Sequence, residues 1–191
     1  MPHRSAPARS LPLVTAALVG ANLLTYLLEL ASGGQATCYA HGLIPAKFHV
    51  ETLFTSLFLH DPSALIHLGG NMAFLALFGA LVEGAIGGLP FLGLYLTAGA
   101  AGGLLHILVS PGATEPLVGA SGAIFGVLAV AGALRPRLLG FVAAFVGINI
   151  FHALFGSAGN VSFGCHIGGF VAGVLNVMIM RAVGSEALEA A

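Results

Sequence analysis

Six apolar stretches, at about 11–30, 63–86, 89–109, 117–134, 137–156 and 161–182, dominate the chain. Crossing a hydrocarbon layer ~30 Å thick takes about 20 helical residues, which all but the shortest stretch supply. In lipid, each backbone N–H and C=O must be satisfied within its own segment, so every stretch is expected to be a helix. The joints carry breakers or charges: "ASGGQATCYAHGLIPAKFHVET", "GGLP", "SPGATEP", "RPR" and "GSAGN". The expected fold class is therefore all-α, a polytopic membrane protein with six transmembrane helices over residues 11–182. Tails at 1–10 and 183–191 flank it. The long first joint, with Pro45 and Pro62, should fold on the membrane surface. The short fourth stretch should sit inside the bundle.

A soluble alternative fails on composition. Soluble domains carry about a quarter charged residues, whereas this chain has 7% charged and 58% hydrophobic residues. A net charge of −1 gives no basic field for nucleic acid. If the N-terminus is cytoplasmic, Arg4, Arg9, Arg135, Arg137 and Arg181 all lie inside and Lys47 alone lies outside, as the positive-inside rule expects. Both termini are then cytoplasmic. Residues 11–30, with Arg4 and Arg9 ahead of them, also suit a signal peptide. Their length and the presence of Asn22 and Glu29 favour a retained span. Cys38 and Cys165 match no metal spacing, and Cys165 lies in an apolar stretch, so no disulfide is expected.

Ionisable and amide groups at membrane depth are costly and by default mark function or a specific pairing. Three clusters stand out. His67 and Asn71 are four residues apart on one face of the second helix; Ser121 and Phe125 share a face of the fourth; His166 heads a Gly169-xxx-Gly173 run in the sixth. These three helices run in the same direction. With starts near Ser63, at Pro116–Leu117 and at Ser162 or Asn160, the clusters lie roughly 6–9 Å below their helix ends. Each has a bland reading: Ser121 within Gly122-xxx-Gly126 suits close helix packing, and a lone histidine or asparagine suits a structural hydrogen bond. Packing alone does not explain why all four polar groups share one depth. Chemistry does. A serine hydroxyl becomes a nucleophile when imidazole accepts its proton. Ser121 and His166 form such a pair, with oxyanion donors in Asn71, His67 and the Ser121 N–H. Phe125 can brace the imidazole, and Gly119, Gly169 and Gly173 allow close approach. No carboxylate is placed as a third member, because Glu83 and Asp61 lie elsewhere; a dyad is expected.

In this order, "HLGGNM" (67–72), "GASGAIFG" (119–126) and "HIGGFVAG" (166–173) resemble the rhomboid family of intramembrane serine proteases, bacterial type with a six-span core. The stretch "TSLFLHDPSALIHLGGNMAFLALFGALVEG" is also similar to that family's second-span region. The resemblance runs from about residue 42 to 175. It implies cleavage of transmembrane segments of substrate proteins near the outer leaflet of a bacterial inner membrane. Lipid is the solvent and no cofactor is needed. It assigns Ser121 as nucleophile, His166 as base, and Asn71 and His67 as oxyanion donors. Three departures stand beside it. Phe125 replaces a frequent tyrosine; Cys165 replaces a frequent alanine, is slightly larger and could react with thiol reagents; and without tryptophan there is no Trp-Arg pair in the first outer loop.

His60 is expected to hydrogen-bond within the first loop, and His41 and His49 to lie on its surface. His106 and His152 should be structural or cavity-lining. No pair of histidines has ligand spacing on one helix, so no metal is expected. The fifth helix, rich in small and aliphatic residues, is the expected gate. Two rival classes remain: a non-catalytic scaffold of the same fold that binds membrane helices, and a transporter or channel. The second should show paired repeats, and none is evident.

Overall fold

The computed structural model describes residues 11–63, 65–155 and 162–185. Both tails in large part, the joint "GSAGN" and the alternative cap Asn160 lie outside the described residues. The helices are α1 (Leu13–Ala31), α2 (Gln35–His41), α3 (Thr52–Thr55), α4 (Leu65–Phe74), α5 (Ala80–Ile86), α6 (Gly88–Val109), α7 (Ser121–Leu134), α8 (Leu139–Phe155) and α9 (Phe163–Ala182). A π-helical turn, Leu75–Gly79, joins α4 to α5, so they read as one 22-residue span, Leu65–Ile86. The protein is an all-α bundle. Among the described residues the one β contact is an isolated antiparallel bridge between Leu43 and Leu117.

Among the described residues, four helices are long and apolar enough to cross a membrane: α1, Leu65–Ile86, α6 and α9. The apolar helices Ser121–Leu134 and Pro136–His152 are shorter. At 1.5 Å per residue, α7 reaches only ~21 Å. Its place explains its length. Every residue from Gly122 to Gly132 is buried, and a helix that is apolar all round belongs in an interior. The surrounding helices turn Leu27, Ile66, Leu77, Leu89, Leu108 and Met178 outward. Such a surface suits lipid.

α6, α7 and α9 pack most extensively, and glycine makes this possible. A Cβ on Gly169 would overlap the Gly122 carbonyl oxygen, and one on Gly173 the Gly126 carbonyl oxygen. On the other side, a Cβ on Gly102 would lie 2.6 Å from the Cys165 carbonyl oxygen. Backbone-to-backbone contact of this kind is the means by which helices associate where lipid removes the hydrophobic driving force.

Two buried carboxylates dock α1. Glu83, 4% exposed in the middle of α5, accepts hydrogen bonds from the Val14 N–H (2.9 Å), the Thr15 N–H (2.7 Å) and the Thr15 hydroxyl (2.7 Å). The first N–H groups of a helix lack intrahelical partners and favour negative charge, so Glu83 caps α1 from a neighbouring span. At the other end, Glu29 accepts from the His60 backbone N–H at 3.2 and 3.3 Å.

One boundary differs from expectation. The fourth helix starts at Ser121 rather than near Leu117. Leu117 is held in its bridge to Leu43 (N–H to carbonyl distances of 2.8 and 3.1 Å), and the Gly119 N–H donates to the Ser56 carbonyl at 2.9 Å. The joint between α1 and α4 thus claims the backbone groups that a longer helix would have used.

Candidate active site

Ser121 is the first residue of α7, with Ala120 as N-cap. Its N–H has no carbonyl four residues back within the helix and remains a free donor in the first turn. The approach to it depends on Gly119, whose φ of +121° disfavours any L side chain. A Cβ there would also lie 3.3 Å from the His67 ring. Glycine is required twice over, by conformation and by space.

His166 lies one turn into α9, which Ser162 caps by accepting the Cys165 N–H at 3.2 Å. The cap is itself held: Ser162 Oγ is 2.8 Å from His106 Nδ1. With only 7% of its surface exposed, the His166 ring is oriented on three sides. Its Nε2 is 2.8 Å from Ser121 Oγ. Its Nδ1 is 2.7 Å from Asn149 Oδ1. Its face lies flat on Phe125, with centroids 4.3 Å and planes 6° apart. Asn149 comes from α8, and its Nδ2 donates to the Phe145 carbonyl at 2.8 Å. That bond leaves Oδ1 to accept the Nδ1–H of His166, and Nε2 to accept the Ser121 hydroxyl proton.

Asn71, 6% exposed, and His67, exposed, approach from α4. The Asn71 amide donates one hydrogen to the His67 carbonyl at 3.1 Å and keeps the second free. A cavity of about 230 Å³ is lined by His67, Asn71, Ser121, Phe125, Asn149 and His166. The polar residues singled out in the sequence therefore meet in one place. Gly119 is beside His67, whereas Gly169 and Gly173 lie further along α9 at its contact with α7. A larger cavity, about 440 Å³ between α1 and the joint that follows it, contains none of these groups. Volume alone does not locate the chemistry.

Asn149 is the residue that sequence reasoning missed. The search for a third member looked for a carboxylate, and Asn149 lies inside the apolar run "FVGINIF". Its signal was present: an amide at membrane depth calls for a partner.

Two other expectations need correction. His60 does anchor the loop, but through its backbone: the N–H goes to Glu29, and its carbonyl accepts the Cys38 thiol at 3.6 Å. Among the described residues its fully buried ring meets no partner of hydrogen-bond geometry, lying edge-on to His67 at 6.0 Å. Burial, with the neighbouring His67, pushes its ionisation down to about 4, so the ring is neutral. Cys165 is not open to thiol reagents. Its thiol is wedged between α6 and α7, and a Cβ on Gly122 would lie 2.6 Å from the sulfur. Cys38, buried beside Glu29, has its thiol pushed up to about 11, chiefly by burial. His41 and His49 are exposed, and His152 stacks on Phe163 at 5.8 Å.

The sequence model of the family described as Rhomboid domain matches residues 47–183, well over half of the chain. No curated protein matches it.

Proposed function

The chain belongs to the rhomboid family, and from that premise we propose that it is an intramembrane serine endopeptidase working through Ser121 and His166. The observation that carries this reading is the 2.8 Å contact between Ser121 Oγ and His166 Nε2, inside a cavity that also holds two amide or imidazole donors. Ser121 Oγ attacks a peptide carbonyl of a locally unwound substrate helix while its proton passes to His166 Nε2. The oxyanion receives hydrogen bonds from the Ser121 N–H, the free Asn71 amide hydrogen and the His67 ring. His166 returns the proton to the leaving amine as the C–N bond breaks. A water molecule, deprotonated by the same nitrogen, then attacks the acyl-enzyme and frees Ser121. A helical substrate ties up its own carbonyls, so segments with glycine or proline near the cleaved bond are favoured. In this reading six spans place the cavity near the outer leaflet of a bacterial inner membrane, with both termini cytoplasmic.

Fluorophosphonate labelling of the purified chain tests it. The parent should label, and Ser121→Ala and His166→Ala should not. If the parent labels no better than Ser121→Ala in several lipids, the serine is not activated. A scaffold that binds membrane helices then becomes the better description.

A further inference from the structure

We infer that Asn149 is the positioning residue of the histidine base, with α8 supplying the acceptor that orients His166 toward Ser121. The inference builds on the protease reading but concerns the imidazole itself. A neutral imidazole has one N–H and one bare nitrogen, and only a bare Nε2 can take the Ser121 proton. Free imidazole side chains favour the opposite form, with the hydrogen on Nε2. Something must hold the hydrogen on Nδ1, and at 2.7 Å the Asn149 Oδ1 is placed to do so.

The amide cannot simply be turned round. Its Nδ2 donates to the Phe145 carbonyl at 2.8 Å; a flipped amide would set two carbonyl oxygens against each other and aim an N–H at Nδ1. Phe145, the source of that carbonyl, also stacks on Phe125 at 5.2 Å, and Phe125 stacks on His166. A single turn of α8 therefore fixes the ring through both its edge and its bracing phenyl. A carbonyl acceptor suits this depth better than a carboxylate, since it orients the ring without adding a buried charge. α8 lies at the periphery, with Ile148, Ile150, Phe151 and Leu154 exposed. A displacement of α8 by about 1 Å would take the contact past hydrogen-bond range and release the base. The seating of α8 and the competence of His166 are then one property.

The test uses the full chain in lipid nanodiscs with 15N-labelled histidine. NMR reads the His166 tautomer, assigned with His166→Ala, while fluorophosphonate labelling rates are followed in parallel. The parent should carry its hydrogen on Nδ1. Asn149→Leu, close in shape but without an acceptor, should shift His166 to the Nε2–H form and slow labelling about tenfold, the effect of one lost hydrogen bond. Asn149→Asp keeps an acceptor for Nδ1 and should restore the Nδ1–H form, but its second oxygen then faces the Phe145 carbonyl, so the tautomer and not the labelling rate is its readout. An Nε2–H tautomer in the parent, or one left unmoved by Asn149→Leu, overturns the inference even if labelling is vigorous. An Asn149-dependent tautomer in a parent that does not label supports the inference and removes the protease reading instead.

Discussion

The Phe125 ring lies flat on the His166 imidazole, with centroids 4.3 Å and planes 6° apart. It therefore limits ring rotation about the axis that the two hydrogen bonds leave free. An aromatic stack of this kind is worth about 0.5–1.5 kcal/mol beyond burial. Phe125→Ala should slow fluorophosphonate labelling roughly three- to tenfold, while Phe125→Tyr, which keeps the ring, should stay close to the parent. Equal rates for parent and Phe125→Ala would show that the hydrogen bonds alone orient the base.

Gly169 faces the Gly122 carbonyl with no room for a methyl group. The obstructing atom is backbone and cannot rotate away, so Gly169→Ala must push α9 off α7. Overpacking of this sort costs about 1–3 kcal/mol, and the shift would also lengthen the Ser121–His166 contact. Thermal unfolding in detergent should show a clear loss of stability together with lost labelling. Gly93→Ala, at a position with open space around it, should be neutral or slightly stabilising.

Glu83 receives three hydrogen bonds from the start of α1. Glu83→Gln removes the charge while keeping the shape, and should lower stability by about 1–2 kcal/mol. Glu83→Ala, which strands two N–H groups and a hydroxyl, should cost more. The order parent, glutamine, alanine in melting temperature is the check; an unchanged melting temperature in the alanine variant would mean α1 docks by apolar contact alone.

His60 predicts a pH dependence. Its ionisation falls from a usual 6.5 to about 4 in the folded protein. Between those values the unfolded chain binds a proton that the folded chain refuses, so stability declines as pH drops from about 6.5 to about 4. The whole decline from this group is about 3 kcal/mol. Melting temperatures measured across that range should fall more steeply for the parent than for His60→Leu. Parallel curves would place the ring in contact with water.

The positions of the apolar helices were legible because lipid imposes a local rule: each span must satisfy its own backbone, whatever its neighbours do. Helical periodicity likewise set His67 with Asn71, and Ser121 with Phe125, on shared faces. The start of α7 was not legible. Residues 117–120 are apolar enough to continue the helix, but the pairing of Leu117 with Leu43 and of Gly119 with Ser56, with Gly119 at a φ of +121°, holds them out of it. The burial of Cys165 was hidden for a related reason. Its environment is made by Gly102 and Gly122 on two other helices.

By itself, then, the amino-acid sequence determined which segments are helices in lipid, which residues share a helical face, and which polar side chains need partners. Those properties act over a few residues along one chain. Tertiary structure alone decided that His60 anchors the joint between α1 and α4 through its backbone, and that the partner of His166 Nδ1 is Asn149 on another helix. Such pairings depend on the rotation and depth of one helix against the next. These are set by glycine contacts and loop bridges far apart in the chain, and no local pattern records them.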